Sequence, residues 1–65
     1  MKIGDLVKWS HPQAVDYGLV LEMGEDRLPK GYWDGHVLIQ WHRKPEHSGL
    51  YPAKHELLEL VSESR

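Results

Sequence analysis

The sequence predicts an all-β protein: a five-stranded antiparallel small barrel with one short helical turn before the last strand. Three observations carry this expectation. Turn-forming residues recur at short intervals, and the stretches between them are of strand length. Several of those stretches alternate apolar and polar side chains, the period of a half-buried strand. The two ends of the chain also match. Gly4-Asp5 opens a short alternating strand, and a turn broken by Pro52 feeds a last one.

The first strand is Leu6-Val7-Lys8-Trp9, with Val7 and Trp9 on one face and Leu6 and Lys8 on the other. His11-Pro12 stops it, because proline removes a donor and restricts the residue before it. Residues 10–16 are a loop. The second strand is 17–23, and its nearly continuous apolar run implies burial on more than one side or a bulge. Gly18 within it permits close approach of another backbone or a sharp bend. Residues 24–35 form a long polar loop holding Pro29 and ending in the turn signal Asp34-Gly35. The third strand, 36–41, is the clearest: Val37, Ile39 and Trp41 alternate with His36, Leu38 and Gln40. A polar connection over 42–49 leads to a short fourth strand, Leu50-Tyr51. Residues 53–56 suffice for one tight helical turn, and 57–61 form the fifth strand. Leu57, Leu58 and Val61 also fall at helical spacing, but a run of about nine residues is short for a helix. The expected core is Val7, Trp9, Val20, Val37, Ile39, Trp41, Leu58 and Leu60. A polar tail covers 62–65.

The bulk properties agree with one small domain whose core spans about 3–61. The chain has 65 residues, 40% of them hydrophobic and 28% charged, which is a globular balance. A domain of this size buries only about 60% of the surface of its unfolded chain. That leaves little room for an enzymatic cleft. There is no cysteine, hence no disulfide framework and no thiolate metal site. No apolar run approaches the ~20 residues of a membrane helix. The start of the chain has neither an apolar signal region nor a cleavage pattern. A cytoplasmic location is expected. The net charge of −2 gives no general attraction to a phosphate backbone.

The leading Gly-Asp-Leu-Val-Lys strand, the glycine-containing second strand, the Val-x-Ile-x-Trp strand and the proline-broken turn before Glu56-Leu57-Leu58-Glu59-Leu60 resemble Src-homology-3-like small barrels. The N-terminal part is closest to the KOW and Tudor branches, and Gly49-Leu50-Tyr51-Pro52 resembles the C-terminal end of peptide-binding members. Over residues 3–61 the chain also resembles short proteins of tailed bacteriophages. Peptide-binding members carry an aromatic first loop and a Trp-Trp pair in the central strand. Here residues 10–16 hold no aromatic side chain and His42 follows Trp41, so the resemblance implies the barrel rather than that peptide groove. Tudor members that read methylated side chains use an aromatic cage, for which Tyr17, Tyr32, Trp33 and Tyr51 are the candidates here. KOW members bind RNA or protein and are usually basic, whereas this chain is acidic.

Candidate functional residues fall into two sets. Tyr32 and Trp33 stand side by side in the long loop, where a rigid scaffold usually carries its binding residues. With Tyr51 and Tyr17 they are the expected partner-binding residues; the alternative for Trp33 is a cap over one barrel end. His42, Arg43 and Lys44, with Lys54 and His55, are the one basic cluster. They could serve nucleic acid beside Trp41 or Tyr51, or simply be solvated and neutralised by Glu46 and Glu56. Five histidines raise a metal site, but no helix-borne pair is present to converge on an ion, and none is expected. No cofactor is expected either. Ser10, Ser48 and Ser62 lie outside any nucleophile elbow, and no glycine-rich phosphate loop exists, so the chain is not expected to be an enzyme. The expectation is a non-catalytic protein-interaction module, an accessory or virion-associated phage protein acting in the host cytoplasm or the virion. It would bind a host or viral protein or assemble with itself; the alternative is a nucleic-acid-binding module built on the 42–44 hairpin.

Overall fold

The computed structural model describes residues 1–62; the expected polar tail lies, from residue 63 on, outside the described residues. Five strands make up the molecule: β1 (Leu6–Trp9), β2 (Asp16–Met23), β3 (His36–Trp41), β4 (Gly49–Pro52) and β5 (Leu58–Ser62). They form one antiparallel sheet in the order β4-β3-β2-β1-β5. No α-helix occurs among the described residues. The loops carry single 3-10 turns at Gly24–Asp26 and Pro45–His47. Before β5 the backbone makes two successive tight turns, His55 N–H to the Pro52 carbonyl and Leu58 N–H to the His55 carbonyl, each at 3.0 Å. The helical spacing of Leu57, Leu58 and Val61 is overridden by pairing with β1, where Leu58 lies opposite Trp9.

The sheet rolls up. The Trp9 ring on β1 lies 5.8 Å from the Tyr51 ring on β4, although β2 and β3 separate those strands in the sheet order. Flat strands three spacings apart would stand ~14 Å from each other. Curvature is what allows one core to be shared by every strand. That core is Val7, Val20, Val37, Ile39, Trp41 and Leu58, with Trp9, Met23, Tyr51 and Ala53 packed against it. Two expected core members differ. Trp9 is only partly buried, and Leu60 is 41% exposed. Leu60 lies on an edge strand bonded to β1 alone, next to the irregularity that breaks the β1–β5 register between Leu6 and Val7. The end of β5 thereby leaves the core.

The apolar run of β2 is explained by a bulge. Val20 lies opposite Ile39 and Glu22 opposite Leu38, so Leu21 is one residue too many. Val20 and Met23, three apart, can then both reach the core. The outer face keeps Tyr17, Leu19 and Leu21. At Gly18 a Cβ would lie 2.7 Å from Ile39 Cγ2 and 2.8 Å from Trp41 Cε3. Only glycine lets the Trp41 ring lie across β2 there.

Candidate functional site

The last residues of β1 and β3 meet at one end of the barrel, beside the first residue of β2. Register dictates this: Trp9 pairs with Asp16, Trp41 with Gly18, and His42 N–H donates to the Tyr17 carbonyl at 2.8 Å. Tyr51 joins from β4. Its hydroxyl donates to the His47 carbonyl, which leans the ring toward the 45–47 turn. The result is three mutually inclined rings. Trp9 and Trp41 have centroids 6.0 Å apart at 69°, Trp41 and Tyr51 5.6 Å apart at 81°, and Trp9 and Tyr51 5.8 Å apart at 58°. Edge-to-face contact of this kind suits the ring quadrupoles. Between them opens a pocket of about 160 Å³, whose rim adds Ala14, Asp16, Lys44 and His47. The His55 ring also packs against Trp9, at 4.8 Å.

Asp16 organises the rim. It is 5% exposed. Its Oδ1 accepts the Tyr17 N–H at 2.7 Å and the Arg43 N–H at 2.9 Å; its Oδ2 accepts the Lys44 N–H at 3.0 Å and shares that of Arg43 at 3.1 Å. Burial by itself would raise the pKa of this carboxyl. The backbone N–H groups of Arg43, Tyr17 and Lys44, helped by the charge of His42, outweigh burial and hold it below the ordinary carboxylate value. At the other end of the same connection the Trp41 N–H donates to Ser48 Oγ at 3.0 Å. The basic hairpin is thus pinned at both ends.

The expected site residues are distributed over three places. Tyr51 lines the aromatic pocket, Tyr17 lies on the outer face of the sheet, and Tyr32 and Trp33 stay in the 24–35 loop. Tyr32 is 70% exposed. Trp33 is half-buried and packs edge-on against Tyr32 at 4.9 Å and His36 at 5.6 Å, and it lies outside the set of side chains packed on the core. It does not cap the barrel. The loop closes at its neck: a Cβ on Gly24 would stand 2.0 Å from the Trp33 carbonyl oxygen. Of the basic residues, His42, Arg43, Lys44 and Lys54 are all exposed. Lys44 reaches the aromatic pocket, while His42 lines a groove on the outer face. Among the described residues, no three His, Asp or Glu side chains converge as a metal would require.

Sequence reasoning missed Trp9 and Asp16 as site residues, and named Trp41 only as a ring beside the basic cluster. For Asp16 a signal existed. Asp16, Gly18 and Val20 share one face of β2 by alternation, so the inward position of Val20 makes Asp16 inward too. A carboxylate at such a position demands polar partners. Compared with family models, curated proteins and solved structures, the chain gives no match. Among the described residues no helix is long and apolar enough to cross a membrane.

Proposed function

We propose that the chain is a non-catalytic protein-interaction module that receives a partner side chain between Trp9, Trp41 and Tyr51. The observation that carries this reading is the open three-ring pocket with a polar rim. Buried aromatic anchors ringed by polar groups are the usual energetic centre of a protein interface. A volume of about 160 Å³ suits one side chain, well below the ~300 Å³ at which small-molecule sites begin. The one buried carboxylate at the pocket is spent on backbone N–H groups and serves as a brace rather than a base. The loop pair of exposed Tyr32 and half-buried Trp33 is a second, weaker contact in the same reading. The Src-homology-3-like kinship, and the role as a phage accessory or virion-associated protein binding a host or viral partner, enter from the sequence motifs alone.

The alternative, a nucleic-acid-binding module, draws on Lys44 and His47 beside stackable rings. Affinity capture with the wild type and Tyr51→Ser, together with salt-titrated binding to single-stranded DNA and RNA, separates the two. The module reading expects a captured protein that is lost with Tyr51→Ser, and no nucleic-acid binding at about 50 mM salt. Binding that falls steeply as salt rises, and that Lys44→Glu abolishes, establishes the alternative instead.

A further inference from the structure

Three inclined rings beside a buried carboxylate have the outline of a cage for a cation, since ring faces and a carboxylate both attract positive charge. The bonding of that carboxylate argues for the opposite charge. Asp16 is 5% exposed, and its two oxygens take four hydrogen-bond contacts, two each, from the backbone N–H groups of Tyr17, Arg43 and Lys44. An ionised carboxyl has about four acceptor positions. None is left for a ligand. The Tyr51 hydroxyl is engaged too, donating to the His47 carbonyl.

Lys44 is placed the other way. Asp16 Oδ2 accepts its N–H at 3.0 Å, and Pro45 opens the 45–47 turn directly after it, so the backbone carrying the side chain is fixed from both sides. The residue is exposed and its side chain lines the pocket. Among the described residues its ammonium enters no ion pair. His47 shares the rim, His55 packs on Trp9 at 4.8 Å, and exposed Arg43 is next along the chain. The acidic residues of these segments, Glu46 and Glu56, are exposed and line no part of the pocket. The pocket therefore offers ring surface inside and positive charge at its rim.

We infer that the pocket selects a leucine-sized aliphatic side chain with a carboxylate directly beside it in the partner, the carboxylate pairing with Lys44; this rests on the proposed role of the pocket in protein binding. An opening of about 160 Å³ holds one such side chain against three rings. The carboxylate belongs either to a neighbouring acidic residue or to the free end of the partner chain, and its chemistry at Lys44 is the same. A long polyanion fits less well, because Glu46 and Glu56 interrupt the basic residues and the whole chain carries −2.

The indole N–H signals in heteronuclear NMR spectra read this directly, with Trp33 of the 24–35 loop as internal control for Trp9 and Trp41. The probes are acetylated, amidated pentapeptides whose central leucine is flanked by two glutamates, two glutamines or two lysines. A further glutamine peptide ends at leucine with a free carboxylate. At about 50 mM salt the glutamate peptide should shift Trp9 and Trp41 at about 10-fold lower concentration than the lysine peptide, with glutamine between and Trp33 unmoved. About 0.5 M salt should narrow that gap. Lys44→Gln should shrink it below about 3-fold, and Lys44→Glu should reverse the order. The tighter of the glutamate and chain-end peptides names the source of the carboxylate. Equal shifts by the glutamate and lysine peptides overturn the inference alone and leave the pocket reading standing, as does a gap that survives Lys44→Gln. A tighter lysine peptide overturns it by showing that the rings hold a cation. Single-stranded oligothymidylate acting on the same signals at lower concentration than the glutamate peptide overturns it in favour of nucleic acid. If no peptide moves Trp9 or Trp41, the pocket reading itself fails and the inference with it.

Discussion

Two clusters of aromatic rings stand out in this small barrel, and they are held in place by different means. Trp9, Trp41 and Tyr51 come from three strands and are brought together by the roll of the sheet. Tyr32 and Trp33 are sequence neighbours, and their further ring contact is with His36, three residues from Trp33. The strand cluster is anchored in the core through Trp41, which is only 4% exposed. The loop cluster rests on its own backbone, with Gly24 at the neck. The difference teaches where rigidity originates. Rings placed by β-register present a fixed pocket, because moving one of them means breaking a ladder. Rings placed by a loop present a surface that can change without cost to the fold.

The largest effect should come from the strand cluster. Trp41→Ala removes a core side chain, one wall of the pocket and the ring that crosses Gly18. Truncations of buried aromatic residues cost about 3–5 kcal/mol, comparable to the ~5 kcal/mol that holds a domain of this size together. We expect a chain largely unfolded at room temperature by circular dichroism. A cooperative melt near that of the wild type would mean that the strand cluster is no more integral to the fold than the loop pair.

Asp16 comes next. Asp16→Asn replaces one accepting oxygen by a donor facing the backbone N–H groups of Arg43 or Lys44, a loss of about 1–3 kcal/mol. The carboxyl binds its proton more weakly in the folded chain than in the unfolded one, so the unfolded state takes up more protons as the pH falls. The stabilisation is complete above the ordinary value of about 4 and fades as the pH drops through the lower folded value. The difference in melting temperature between wild type and Asp16→Asn should therefore be greatest near neutrality and shrink toward about pH 3. A difference that grows on acidification would show that the bonds to 43 and 44 are not what Asp16 contributes. Partner capture should fall as well, since the same bonds position Lys44 at the pocket.

Local pattern made much of the fold readable. β1 and β3 lie where alternation and turns put them, at Leu6–Trp9 and His36–Trp41. The apolar run of β2 left a bulge or burial on more than one side open, and the structure has the bulge; Gly18 left a bend or a close approach of backbone open, and the nearest groups are the Ile39 and Trp41 side chains. The start of β2 at Asp16 was not, because a carboxylate beside a loop reads as loop until its partners 27 and 28 positions away are known. The pocket was hidden for a related reason. Trp9 and Trp41 both read as core residues from their alternation. Only the curvature of the whole sheet brings β1 to β4 and leaves Trp9 partly open. Tyr32 and Trp33 attracted notice because their place in a long loop is a local property, legible without a fold, whereas the half-burial of Trp33 is not.

The smallest effect on stability should be that of Trp33→Ala, and it tests the comparison from its other side. Trp33 touches Tyr32 and His36 but no core side chain, and the groups that close the loop neck are its backbone carbonyl and that of His36. Alanine keeps that carbonyl and the His36 N–H bond it accepts at 3.1 Å. The melting temperature should move by less than about 5 °C, or about 1 kcal/mol for a domain of this length. Partner affinity should fall by about 1–2 kcal/mol, the scale of an exposed aromatic contact near the edge of an interface. Isothermal titration with a captured partner and a thermal melt of the same sample read both quantities. A large drop in melting temperature would show that the loop pair supports the barrel after all. Unchanged affinity would confine recognition to the Trp9–Trp41–Tyr51 pocket, leaving the loop rings with no part in it.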